Sequence, residues 1–281
     1  MKKSSIILFF VLLITGLMPP SAYGQQFYVG IDAGYGLKIN SSNYGWYNDS
    51  YDRDGSVSTY NNVRFSLGQG LQTGVAAGCM FNNNFGIEVG LAYQIGAPIK
   101  SHYYVSDTTG SSYENMNFSK SAQSIRITPA FIMQAKPDAT FSPFLKMGLI
   151  CSMASMEEIH EGVDYMGDYI VYRWNYSKGI NLGALSSLGA VYNINDKLAL
   201  VGEFKIQLLS YAPEKSEYTE CTVNGVDLLP GMTTSDKITE YVDSYSYDPH
   251  VAQSPTEPKT TIKETYSLNS YGFQLGLRIN L

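Results

Sequence analysis

Three histidines, His102, His160 and His250, are the groups in this chain suited to general acid–base chemistry near neutral pH. His160 follows Glu157 and Glu158, and His250 follows Asp248, so a carboxylate stands close enough to orient each imidazole. An isolated histidine in a polar segment is ordinarily solvated, and no catalytic residue is assigned. Asp49, Asp52 and Asp54 before Gly55 approach a calcium loop, but the ligand spacing fails and no glutamate closes it, so they read as an Asp-rich turn. The three cysteines, Cys79, Cys151 and Cys221, have no C-x-x-C spacing. The first two fall on apolar strand faces and the third in a loop, so all three read as buried or hydrocarbon-facing thiols. No glycine-rich segment lies between a strand and a helix, so no phosphate loop is present. The expected cofactor and metal complement is none.

What could position such groups is visible in the last twelve residues, SYGFQLGLRINL. Tyr271, Phe273, Leu275, Leu277, Ile279 and Leu281 alternate with Gly272, Gln274, Gly276, Arg278 and Asn280. A period of two is a β-strand with one apolar face. Its length suits a tilted strand crossing a bilayer, roughly 9–11 residues. The apolar face is therefore expected to meet lipid and the polar face a barrel interior. The opposite arrangement, a soluble periplasmic barrel with an apolar lumen, would place Phe273, Leu275 and Leu277 in a dry centre and Arg278 in solvent.

The same alternation recurs. Residues 27–39 set Phe27, Val29, Ile31, Ala33, Tyr35, Leu37 and Ile39 against Tyr28, Gly30, Asp32, Gly34, Gly36 and Lys38. Residues 63–81, 85–96, 122–135, 140–152, 179–192 and 197–211 give six more strands. In the first of these, Phe65 and Leu67 are assigned to the outer face. In the 179–192 segment Leu185 and Val191 break the pattern. Pro129 and Pro143 remove ladder donors and mark weak points or bulges. Short turns at 82–84, 136–139 and 193–196 alternate with long polar segments at 40–62, 97–121, 153–177 and 212–267. The fold class is thus all-β, an eight-stranded antiparallel up-and-down transmembrane β-barrel.

The first 24 residues read as a secretory signal peptide, with Lys2 and Lys3, an apolar run over 6–18 and small residues before Gln25. Residues 25–281 form one barrel domain, with no linker to a second. The formal charge of −6 disfavours nucleic acid as a partner.

On this strand pattern and loop alternation, the mature chain resembles the small eight-stranded outer-membrane β-barrel family, the OmpA/OmpX-like class. The resemblance implies short periplasmic turns, long extracellular loops and residence in the cell outer membrane. Its contacts would be outer-membrane lipid and lipopolysaccharide, as a monomer. Such barrels commonly end in an aromatic residue, whereas Leu281 stands here, and the family's peptidoglycan-binding second domain is absent. Some outer-membrane barrels are proteases or acyl enzymes, but their motifs have no match in this chain.

The inward set carries Asp32, Glu88 and Glu203 with Lys38, Arg126, Lys146, Lys205 and Arg278. In a narrow lumen these are expected to pair as an ion-pair plug that rigidifies the barrel. The other reading is a gated path for ions or small solutes. Specific contacts belong to the loops, where Trp46, Tyr47, Tyr172 and Trp174 are candidates for binding an extracellular protein or glycan. Acidic residues of the third and fourth loops, Glu158 among them, are expected to be solvated; bridging by divalent cations to lipopolysaccharide is the alternative. The expected function is a non-enzymatic barrel anchoring large surface loops for adhesion, partner binding or envelope integrity. A narrow channel or a barrel enzyme are the alternatives.

Overall fold

The computed structural model describes residues 26–39, 47–52, 58–63, 65–106, 114–135, 139–177, 179–246, 250 and 252–281. The expected signal segment, Trp46, Asp54 and Asp248 lie outside them. Eight strands make the barrel: β1 (Gln26–Lys38), β2 (Gly70–Met80), β3 (Phe85–Gly96), β4 (Glu114–Gln134), β5 (Phe141–Val163), β6 (Ile180–Asn193), β7 (Leu198–Tyr211) and β8 (Ser270–Asn280). Each pairs antiparallel with the next, and β8 returns to β1, so no barrel strand is left as an edge. Following the partners round from Tyr28 leads through Gly78, Glu88, Ala130, Gly148, Leu185, Gln207 and Ser270 to Lys38, further up β1. That stagger is the tilt that closing eight strands requires.

Orientation follows from exposure. Phe273 is 67% exposed and Leu275 74%, whereas Arg278 is 8% exposed. The apolar face looks outward and the arginine inward, the reverse of a soluble barrel with an apolar lumen. The outward apolar set on β1 runs from Phe27 to Leu37. Among the described residues no helix is long and apolar enough to cross a membrane; the crossing elements are strands.

The short turns at 82–84 and 193–196 are built by one device. Asn82 Oδ1 accepts from the amides of Asn84 and Phe85, and Asn195 Oδ1 accepts from those of Lys197 and Leu198, all at 2.9 Å. An asparagine side chain that mimics a backbone turn fixes a tight hairpin locally. The prolines produce no register shift. β6 pairs straight through Pro143, and β5 skips Thr128 and Pro129 before resuming at Ala130 with Gly148.

Two expectations are corrected. First, Phe65 and Leu67 do not face lipid; they are 3% and 0% exposed. Residues 65–68 turn into the lumen, where the Leu67 amide donates to Ser267 O at 2.8 Å and Ser66 Oγ donates to Asn269 O at 2.5 Å. The chain then enters β2 through Gly70, whose φ of +145° favours glycine and whose added Cβ would strike Ile95 O. Second, the long segments are not structureless. β4 and β5 continue well past the apolar band, and Ile99–Ser106, Tyr169–Ser177 and Lys215–Val223 pair onto those extensions or onto one another. Ile238–Val242 and Lys259–Ile262 prolong this sheet on one side, and Tyr47–Asp52 and Ser58–Asn62 on the other. A wall of strands therefore stands above the barrel at its long-loop end.

Candidate functional site

The inward residues form layers along the barrel axis. At the short-turn end, Tyr28, Met80, Ile132, Phe144, Val191 and Ala199 pack as one apolar cluster. The Arg278 guanidinium lies 3.6 Å from the centroid of the Tyr28 ring and donates to Asn280 Oδ1 and Gln134 Oε1. A Cβ at Gly78 would run into that ring, so glycine is what lets Tyr28 lie across the lumen.

Next comes a charged belt. Tyr28 donates its hydroxyl hydrogen to Glu88 Oε2 at 2.9 Å, and Lys146 Nζ reaches Glu88 Oε1 at 2.7 Å. The same ammonium lies 3.2 Å from Glu203 Oε2, and Lys205 Nζ is 2.6 Å from Glu203 Oε1. Ser187 Oγ donates to Glu203 at 3.0 Å. Four of the eight charged residues expected in the lumen thus form one connected cluster, with Arg278 joined to it through Tyr28. Asp32 faces the same space, but among the described residues it makes no ion pair. Lys38 departs from the expectation: it is exposed at the end of β1, beside Ser270.

Above the belt is a polar layer. Gln207 Oε1 accepts from Gln72 Nε2 at 3.2 Å, from Ser270 Oγ at 3.3 Å and from Arg126 Nη1. Arg126 Nε donates to Ser124 Oγ at 2.9 Å. This arginine is buried without an acidic partner among the described residues, so it belongs to no ion pair.

The long-loop end is closed by a second apolar cluster, in which Phe65, Leu67 and Leu268 pack with Ile150, Leu185 and Leu209 from barrel strands β5, β6 and β7. Leu185 and Val191, the two residues that break the alternation of β6, are that strand's contributions to the two closures. The lumen cavities found are small, about 50 Å³ beside Arg278 and about 10 Å³ beside Gln72. They hold a few waters at most.

A third cluster lies above the apolar band. On β5 the outward residues change from Leu149 and Met153 to Ser155 and Glu157, and the next inward residue is Glu158. Glu158 is buried, correcting the expectation that it is solvated. It accepts from Tyr176 OH at 3.0 Å and pairs with Lys120 Nζ at 3.2 Å. His160 Nε2 lies 2.9 Å from its other oxygen. Burial alone would raise its pKa, but the His160 hydrogen bond and the Lys120 charge hold it below the ordinary carboxylate value. With three groups committed to it, this carboxylate is a structural centre. His160 is packed edge-on between Phe118 and Trp174, at centroid distances of 4.6 and 4.5 Å.

Tyr172 and Trp174, proposed as loop contacts, are half-buried and pack with Tyr218. Arg173 between them bridges Glu157 and Glu220, each at 3.1 Å. Trp46 lies outside the described residues, and Tyr47 is placed only as the first residue of Tyr47–Asp52. The more exposed apolar groups are elsewhere. Tyr165 and Met166 stand on the tip following β5, 65% and 69% exposed, with Tyr169, Val226 and Leu228 also exposed. The tip at 164–168 is tied to the neighbouring turn by Asn224, whose Nδ2 donates to Asp168 Oδ1 at 2.7 Å and whose Oδ1 accepts from the Tyr169 amide at 2.9 Å. Tip residues carry no strand period, so only their aromatic and methionine side chains signal them. Among the described residues no three His, Cys, Asp or Glu groups converge as a metal site.

The family model described as outer membrane protein beta-barrel domain matches residues 7–226. Among solved structures, the chain is similar to Neisserial surface protein A at 13% identity and a TM-score of 0.39, covering 92% of this chain and 100% of that one. It is similar to OprG from Pseudomonas aeruginosa at 9% identity and a TM-score of 0.44, covering 93% and 98%. It is also similar to Ail, the attachment invasion locus protein of Yersinia pestis, at 8% identity and a TM-score of 0.35, covering 93% and 100%. No curated protein matches the chain.

Proposed function

The chain belongs to the outer membrane protein beta-barrel domain family and resides in the outer membrane, and from that premise we propose that it is a non-enzymatic anchor, acting as a monomer. Its barrel holds a folded wall of surface strands out from the cell. The observation that carries this reading is closure of the lumen at both ends, by the cluster around Val191 and the cluster around Leu185 and Leu67, with the ion-paired belt between them. A path for solutes would need both clusters to part and the belt to separate. The belt residues Glu88, Lys146, Glu203 and Lys205 serve as a rigid plug, with buried charges compensated in place.

The working surface is the far end of the wall. Tyr165, Met166 and Tyr169 on one tip, beside Val226 and Leu228 on the neighbouring turn, offer aromatic and apolar area to an extracellular protein or glycan. Catalysis is not proposed. The best-oriented histidine, His160, faces a carboxylate already committed to a lysine and a tyrosine.

Single-channel recording in planar bilayers tests the anchor reading. Silence at all voltages is expected; steady unitary conductance from the folded protein would establish the narrow channel instead.

A further inference from the structure

The apolar groups of the outermost tip, Tyr165, Met166 and Tyr169, and those of the turn that Asn224 ties to it, Val226 and Leu228, are all between 41% and 69% exposed. Four carboxylates stand on the same two turns: Glu161, Asp164, Asp168 and Asp227. Each is held by a neutral donor. Asp164 Oδ1 accepts from the Met166 and Asp168 amides at 2.9 and 3.0 Å, and Asp168 Oδ1 accepts from Asn224 Nδ2 at 2.7 Å. Asp227 Oδ1 accepts from the Leu229 amide at 2.9 Å, and Glu161 Oε1 accepts from the Tyr169 hydroxyl.

A neutral donor fixes a carboxylate in place without cancelling its charge. Among the described residues none of the four makes an ion pair. Residues 161–172 and 222–236 contain no lysine or arginine. The bases that follow these stretches lie against other acids: Arg173 bridges Glu157 and Glu220, and Lys237 is 3.9 Å from Glu217. Glu114, the first residue of β4, feels the same field, since burial and the Asp164 charge push its carboxyl up. The tip thus presents exposed apolar side chains within a negative charge that no cation of its own offsets. An exposed apolar patch with a polar rim is the anatomy of a protein-binding site.

We propose that this tip docks a protein surface whose apolar side chains are ringed by arginine and lysine. The inference rests on the tip being the working surface and adds the chemistry of its partner. The partner's apolar groups cover Tyr165, Met166 and Val226, and its basic rim meets the four carboxylates. Because these carboxylates are already oriented by hydrogen bonds, little side-chain freedom is lost on docking. Like charge turns away sulfated glycans and anionic membranes.

The test uses the full chain in nanodiscs of zwitterionic lipid, with empty nanodiscs as the blank. The probes are three disulfide-closed peptides: a leucine and tryptophan centre flanked by arginines, the same centre flanked by glutamates, and a serine centre flanked by arginines. The first should bind about tenfold or more tighter than either of the others. Its affinity should fall as salt rises from about 50 to about 300 mM. Asp168→Asn with Asp227→Asn keeps both Oδ1 acceptors and removes two charges; it should weaken the first peptide about threefold or more. Equal binding of the arginine and glutamate peptides overturns the proposal, as does no binding of the first peptide or an affinity unchanged by the asparagine pair. Binding lost in Tyr165→Ser with Met166→Ser, but with no preference between arginine and glutamate, overturns the partner chemistry and leaves the tip as the contact surface. Binding of the first peptide that survives Tyr165→Ser with Met166→Ser overturns both. Should the asparagine pair fail to fold, the peptide comparison and the salt titration decide alone.

Discussion

Leu185 and Val191 project from the same face of β6 into apolar clusters at opposite ends of the lumen. One strand thus contributes to both closures, and the two are far enough apart to be weakened separately. Leu185→Ala should destabilise the protein by about 2–5 kcal/mol, the range for a truncated core leucine, measured by urea unfolding in micelles. It should not create conductance, because the Val191 cluster and the belt stay shut. A single-site variant that conducts would show that the Leu185 cluster is the only seal.

Lys146 is the centre of the belt. Lys146→Met leaves Glu88 with only the Tyr28 hydroxyl, while Glu203 keeps Lys205 and Ser187. Removing one member of a buried pair costs about 3–5 kcal/mol. Lys205→Met should cost less, because Glu203 keeps Lys146 and the Lys205 side chain is already 16% exposed. The quadruple variant Glu88→Gln, Lys146→Met, Glu203→Gln, Lys205→Met removes the four belt charges together and should recover most of the loss. Urea midpoints in micelles rank the four proteins, and a quadruple variant weaker than Lys146→Met would show that the belt stabilises beyond mutual compensation.

The strand plan was legible wherever one face meets hydrocarbon and the other a polar lumen. β1 was expected at 27–39 and lies at Gln26–Lys38, and β3 was expected where it is found. The pattern misled where the surroundings change but the period persists. Phe65 and Leu67 continue the alternation of β2 with the right residue types, yet they belong to a segment folded into the lumen. The Gly68-Gln69-Gly70 run was the local sign of that bend. The extensions of β4 and β5 were hidden for the opposite reason. Outside the apolar band their outward residues become Gln123, Ser119, Ser155 and Glu157, so apolar against polar ceases to mark the faces. The candidate contacts Tyr172 and Trp174 were chosen by residue type, and type does not distinguish an aromatic that packs on Tyr218 from one that stands free at position 165.

The tip at 164–168 is expected to carry partner contact. Tyr165→Ser with Met166→Ser removes two exposed side chains that touch no part of the barrel, so stability should stay within about 0.5 kcal/mol of the parent. Binding of cells displaying the protein to an array of extracellular proteins and glycans should fall at least tenfold for whichever target the parent captures, about 1.4 kcal/mol. Unchanged binding in this variant, with loss in Tyr172→Ala, would move the contact surface back to the flank of the wall.

Glu158 gives the protein a defined acid response above the membrane. Three groups face its carboxylate: Lys120, His160 and the Tyr176 hydroxyl. Burial favours its neutral form, but hydrogen bonding and the lysine charge prevail, and its folded pKa lies below the ordinary 4.5. The unfolded chain therefore takes up the proton first as pH falls. The stability Glu158 contributes is present above about pH 4.5 and is lost as pH falls through the lower folded value. Glu158→Gln lacks this contribution at every pH. The gap in unfolding free energy between parent and variant should be full at about pH 6 and should narrow steadily below about pH 4.5. Trp174, whose ring lies 4.5 Å from that of His160, reports the local transition by fluorescence. A gap that stays constant from about pH 6 to about pH 3 would mean that the carboxylate has no more affinity for its partners than for water, and that the wall is held by its aromatic packing alone.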